Sequence, residues 1–214
     1  MAVGKKVYFI SVFILFLVGI IGFFLYRIYQ VEKALSIPFI PKDSHITLVP
    51  PSSALIGKIV QMNGEVKRQA RDKEEFEKIT DSSDILQGES VRTLRNSRVT
   101  IEFTDFASII LSQNSQLDLI NLIPDNFLFQ QSIGNINFKV SPGKTFSNRI
   151  LHSLISISDG ETIISNDEDS VTIQVKSGRA KVAFVDLDNQ TQVFELATGD
   201  KALIDDTQRR LVFD

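Results

Sequence analysis

Residues 7–26, VYFISVFILFLVGIIGFFLY, make a run of twenty without one charged side chain. A helix rises about 1.5 Å per residue, so the run is about 30 Å long, the hydrocarbon thickness of a bilayer. Six residues, 1–6, precede it and almost the whole chain follows it. The pattern predicts a short cytoplasmic tail (1–6), one transmembrane signal anchor (7–27) and a single large body behind it. A cleaved signal peptide would need a shorter apolar region and a small-x-small site. Here the run ends in Phe23-Phe24-Leu25-Tyr26-Arg27, with no small pair at the boundary. A core helix would be shorter and carry a polar face; Ser11, Gly19 and Gly22 mark no such stripe. Tyr8, Tyr26 and Tyr29 fall near the ends, where amphipathic rings favour the membrane interface. A retained anchor is therefore the expectation, with a cleaved signal second. Charge does not orient it: Lys5 and Lys6 on the short side nearly balance Arg27, Lys33 and Lys42 on the long side.

The net charge of −3 gives no electrostatic footprint for nucleic acid, which shows as a basic domain or stripe. Cysteine is absent, which excludes disulfides, thiolate nucleophiles and Cys–metal sites. The body must hold itself together by packing alone. At about 150 residues it would bury roughly 68–70% of its unfolded surface, enough for a core.

Residues 28–53 read as a stalk, because Pro38, Pro41, Pro50 and Pro51 interrupt any regular helix or sheet. From 54 to 214 the texture is short alternating runs between Gly, Asn, Asp and Ser. The clearest are Ile136-Asn137-Phe138-Lys139-Val140, stopped by Ser141-Pro142-Gly143, and Val99-Thr100-Ile101-Glu102-Phe103. Val171-Thr172-Ile173-Gln174-Val175 and Ala180-Lys181-Val182-Ala183-Phe184 repeat the pattern. Period-two alternation puts one face on a core and the other in solvent. Turn signals about every ten residues favour an all-β roll, sandwich or solenoid. The one helical candidate, residues 70–79 (ARDKEEFEKI), is charged and reads as a surface turn. No strict repeat length is present.

The order of turns and strands across residues 55–204 resembles the extracytoplasmic FecR domain. Gly57-Lys58-Ile59-Val60 with Gly64-Glu65-Val66 is similar to its opening pair of strands. Ile85-Leu86-Gln87-Gly88-Glu89-Ser90-Val91-Arg92-Thr93 resembles its next turn. Ser97 to Phe103, Asp105, Ser108 to Leu111 and Asn114 to Leu119 resemble the strands that follow. Gly134 to Val140 resembles the central strand, and Val175-Lys176-Ser177-Gly178-Arg179-Ala180-Lys181-Val182 and Leu196-Ala197-Thr198-Gly199-Asp200-Lys201-Ala202 the closing motifs. Two features depart from the family. Leu154 to Thr162 replaces an Arg-Gly-Thr-x-Phe-like strand, and six residues before the anchor leave no room for a cytosolic sigma-factor-binding region. The resemblance implies an all-β, twisted solenoid or roll-like domain with an extracytoplasmic interaction role.

Candidate chemistry is sparse. His45 lies in the stalk, and His152 precedes Ser153 in an apolar run, with no Gly-x-Ser-x-Gly elbow anywhere. Asp167-Glu168-Asp169, with Asp159 and Glu161, offers oxygens for calcium without the spacing of a calcium loop. Lys67, Arg68, Arg71 and Lys73 are interleaved with Glu65, Asp72, Glu74 and Glu75, the pattern of a solvated face. Asn114, Asn121, Asn126, Asn135 and Asn137, with Phe127, Phe129 and Phe138, form a polar and aromatic stretch of a kind that binds sugars. Alternate phenylalanines are more often core, and tryptophan is absent. No catalytic, cofactor-binding or metal residue is expected. The first expectation is a single-pass, membrane-anchored, extracytoplasmic sensor or scaffold that binds a protein or an envelope polymer. An accessory regulatory subunit of a membrane complex comes next, and a wall- or sugar-acting enzyme last.

Overall fold

Alternating apolar side chains demand strands, and strands need partners; the computed structural model of this chain supplies them across residues 54–213. It describes those residues together with Phe23 and Tyr26, both helical and exposed. The tail, the rest of the anchor and the stalk lie outside the described residues. The chain divides into two compact units, Met1–Thr47 and Leu48–Asp214. Among the described residues no helix is long and apolar enough to cross a membrane.

The second unit is all-β. Its first strands are β1 (Gly57–Asn63), β2 (Val66–Gln69), β3 (Glu77–Lys78), β4 (Asp84–Ile85) and β5 (Ser90–Thr93). Then come β6 (Arg98–Phe103), β7 (Ala107–Leu111), β8 (Gln116–Asn121) and the long β9 (Leu128–Ile150). The last are β10 (Ser153–Asn166), β11 (Ser170–Val185), β12 (Thr191–Ala197), β13 (Lys201–Asp205) and β14 (Arg210–Phe213). Within residues 70–79 a turn at 71–72, with Lys73 N–H bonded to the Ala70 carbonyl, and a bend at 74–75 lead into β3.

Hydrogen bonds join the strands into one antiparallel sheet that folds over on itself. One layer runs β14–β13–β11–β10–β9–β7–β6–β1–β4. The other is reached through the ends of the long strands: β12 pairs the end of β11, and β8 pairs the start of β9, followed by β5, β2 and β3. β9, β10 and β11 therefore each pass from one layer to the other. The sequence suggests separate strands at Val171–Val175 and Ala180–Phe184; the structure joins them in β11. Buried positions run 171, 173, 175 and then 180, 182, 184, a slip of one residue. Such a slip would turn every side chain to the wrong face unless the strand bends between the two halves. Ser141-Pro142-Gly143 likewise acts as a corner within β9, where Gly143 takes φ +73°.

The core lies between the layers. Phe103 and Phe138 of one layer meet Phe129 and Phe146 of the other, with Phe103–Phe129 ring centroids 5.8 Å apart and Phe138–Phe146 5.3 Å apart. The corners share a polar device. The N–H after a glycine donates to a serine hydroxyl across the sheet: Glu65 to Ser97 at 2.8 Å, Asn135 to Ser115 at 3.0 Å, and Glu161 to Ser177 at 3.0 Å. Ser115 is fully buried. Ser115→Ala should therefore strand the Asn135 N–H and cost about 1–3 kcal/mol in denaturant unfolding. Ser177→Ala, at an exposed corner, should cost less; equal losses would contradict this account.

Candidate functional site

His152 sits in the turn between β9 and β10, after Leu151 at φ +48°. Its Nδ1 lies 2.9 Å from Asp206 Oδ2 in the β13–β14 turn, with the ring more than half exposed. Among the described residues, the ring's hydrogen bonds go to Asp206, so the geometry is an acid and an imidazole without a nucleophile.

The acidic residues are not brought together. Asp159 accepts the Gly143 N–H at the β9 corner, and Glu161 accepts the Asn137 side-chain amide at 2.8 Å. Asp167, Glu168 and Asp169 follow the C-terminal end of β10, about 20 Å along the strand from Glu161. Among the described residues no group of three or more acidic or histidine side chains is placed to hold a metal. The basic set is distributed among acids and carbonyls. Lys67 Nζ is 3.5 Å from Glu65, Arg68 donates to the Asp84 carbonyl, and Lys73 pairs with Glu77, whose carboxylate raises the lysine's pKa.

The Asn-Phe stretch separates by face. Phe127, Phe129 and Phe138 are core. Asn114 and Asn135 face a shallow groove of about 520 Å³ with Gln113, Ile133, Asn166, Asp167 and Glu168, so amides, two carboxylates and one aliphatic side chain line it without an aromatic platform.

What the alternation did not reveal is a set of exposed apolar side chains on the C-terminal strands. Leu154 of β10, Ala183 of β11 and Val193 of β12 stand in one cross-strand row. Val185 and Leu187 lie close along the chain; Leu203 pairs Val212 in a separate row on β13 and β14, in the other layer, and Phe213, paired with buried Ala202, turns to the core side. Leu187 is 67% exposed, Phe213 55% and Val193 49%. Phe194 stacks on Phe184 at 5.9 Å and meets Phe213 at 6.1 Å. Within 54–213 seven of the large exposed apolar side chains lie from Leu154 onward, and only Ile56, Val60, Ile120 and Ile133 lie before it. The sequence carries the signal as adjacent apolar pairs, Phe184-Val185 and Val193-Phe194. Its meaning needs the register, because only pairing places Leu154 beside residues forty positions away.

The β11–β12 turn is fixed by Asp186. Its carboxylate accepts the Asp188 and Gln190 N–H groups and the Gln192 side-chain amide. The Gln192 bond first, then Gln190, holds its pKa below the ordinary aspartate value of 3.8. A lowered folded value means that the ionised form supports the turn above the ordinary value, and that support is lost as pH falls through Asp186's lower folded value. The amide NMR shifts of Asp188 and Gln190 should titrate together with a midpoint below 3.8. Asp186→Asn should abolish the step, and a midpoint above that value would refute the assignment.

No family model matches the chain, and no curated protein matches it. Two crystal structures of a "putative anti-sigma factor" from Parabacteroides distasonis are similar in fold, each with a TM-score of 0.50. They are 13% and 14% identical in sequence to this chain and cover 58% of it. The match also spans 58% of those proteins' own length. At such identity the likeness is one of fold: an all-β domain of the kind found in a protein described as an anti-sigma factor.

Proposed function

We propose that residues 54–214 are a FecR-like β roll, tethered to a membrane by residues 7–27 and exposed outside the cytoplasm. There it binds a protein partner as a sensor or scaffold and performs no catalysis. One observation carries the reading: Leu154, Ala183 and Val193 form an apolar row across β10, β11 and β12, with Leu154 and Val193 exposed at its ends. Contiguous apolar patches rimmed by polar groups mark interaction sites on soluble surfaces. The fold likeness to proteins described as anti-sigma factors supports a regulatory role, and the dispersal of the acidic and histidine residues fits binding better than turnover. The apolar row favours a protein over a polar envelope polymer.

The experiment has two parts. A C-terminal fusion to alkaline phosphatase should be active, and an inactive fusion with an active cytosolic reporter would overturn the exported placement. Crosslinking in intact cells should recover one specific envelope protein, lost when Leu154 and Val193 are both replaced by Asp. His152→Ala should leave the envelope phenotype of the wild type intact; its loss with the fold retained would favour an enzyme.

A further inference from the structure

Among the described residues the open edges of the folded sheet are unequal. β3 and β4 have two residues each and β14 has four, whereas β12 presents seven, Thr191–Ala197, hydrogen-bonded on one side to β11. Proteins blunt exposed edges with short strands, proline, lysine or bulges, because unpaired backbone groups template further pairing. β12, TQVFELA, has neither proline nor lysine. Its pairing with β11 runs from Arg179↔Ala197 to Val185↔Thr191 without a register shift. Both of its faces are apolar near the centre: Val193 extends the row of Leu154 and Ala183, and Phe194 is half-buried against Phe184 and Phe213.

Charge narrows the occupant. Residues 186–200, which span β12 and both of its turns, contain Asp186, Asp188, Glu195 and Asp200 and no Lys, Arg or His. Of the cations behind β12, Lys181 sits 3.7 Å from Glu195 in an exposed pair, which is weak, Arg179 pairs Ala197 and Arg209 donates to the Val185 carbonyl, so none stands on the open edge itself. Two copies of this edge laid together would set one acidic 186–200 segment against another, which their like charge opposes. A basic strand is the complement.

We propose that the free edge of β12 accepts an extended segment of a protein partner as an added strand. The segment carries apolar side chains beside Val193 and Phe194, and lysine or arginine toward Glu195 and Asp188. Main-chain bonds to β12 supply affinity and the alternating side chains supply specificity. This rests on the reading of the domain as a protein-binding module and adds the place, the mode and the chemistry of binding.

The test uses the full-length chain. A photo-crosslinking residue is placed at Thr191 on the β12 edge or at Lys78 on the β3 edge, in intact cells. Purified chain is titrated separately with two synthetic peptides, Lys-Val-Thr-Val-Lys-Val-Thr and the same peptide with glutamate for lysine. The expected result is crosslinking from Thr191 into a basic, alternating segment, and slowed amide exchange in β12 with the lysine peptide alone. Val193→Lys should weaken that peptide at least about tenfold, since a lysine on the edge opposes strand addition. Its thermal midpoint should not change, because the side chain is exposed. Glu195→Lys should shift preference toward the glutamate peptide. Equal protection by both peptides, or protection centred on β3, would overturn the proposal. Crosslinks from Lys78 alone would overturn it while leaving a protein-binding domain. No crosslink at either position together with no protection would remove both readings.

Discussion

Gly178→Ala is expected to destabilise the domain by at least about 4 kcal/mol, in the range that marks a broken structural device. Gly178 takes φ +84°, and a Cβ there would lie 1.7 Å from the Asp159 carbonyl oxygen and 2.5 Å from its carbon. Both atoms are backbone, so no flexible side chain can yield. The opposing strand is as constrained: Asp159 has φ +51°, and a Cβ on Gly160 would meet the Ser177 carbonyl oxygen at 2.4 Å. The positive φ alone costs about 1–3 kcal/mol for an ordinary residue. The clash adds the cost of prying β10 from β11 where their register shifts, between Ser158 and Thr162. Gly143→Ala is the control. It shares a positive φ, +73°, but a Cβ there meets nothing within 4 Å. Its expected cost is about 1 kcal/mol, the conformational part alone. Urea unfolding of the purified chain separates the two, and similar losses would sink the idea that backbone contact holds the corner.

The same corner shows how far the sequence could be read. Val171, Ile173 and Val175 alternate, as do Ala180, Val182 and Phe184, and both runs are strand. The five-residue step from 175 to 180 also shows that the two cannot share one flat strand, since alternation has period two. What the residues did not disclose is whether the chain stops there or bends on. That depends on Gly178 lying against Asp159, a contact between positions nineteen apart that no local pattern encodes. The acidic residues show the same limit. Asp159 and Glu161 looked available for ligation with Asp167 to Asp169, yet each is held by a backbone or amide donor from β9, and β10 places the first pair mid-strand, about 20 Å from the second set. The apolar row was hidden for a third reason. Leu154 and Val193 each sit in a short apolar pair, Leu154-Ile155 and Val193-Phe194, and they become a row only through two successive pairings with β11.

Phe129→Ala is expected to cost about 3–5 kcal/mol, the usual loss for a buried phenylalanine whose cavity cannot collapse. The reason lies in the path of β9. Phe129 and Phe146 are seventeen residues apart in one strand and would be about 56 Å apart were it straight, yet their ring centroids are 5.3 Å apart. Phe129 also meets Phe103 at 5.8 Å, Phe127 at 5.0 Å and Phe138 at 6.3 Å. Three segments of β9 thus converge on one fully buried ring. The hydrogen bonds of the corners permit that fold-over but do not drive it, because water would satisfy the same groups in an open chain. Burial of the rings supplies the drive. Removing the central ring should therefore loosen both layers together, and amide exchange in β8 and in the far end of β9 should quicken in parallel. Phe213→Ala, at an exposed ring, should cost less than about 1 kcal/mol while weakening a strand docked on β12. If Phe129→Ala instead cost no more than Phe213→Ala, the layers would have to be held by their corners, and the phenylalanine cluster would be filler.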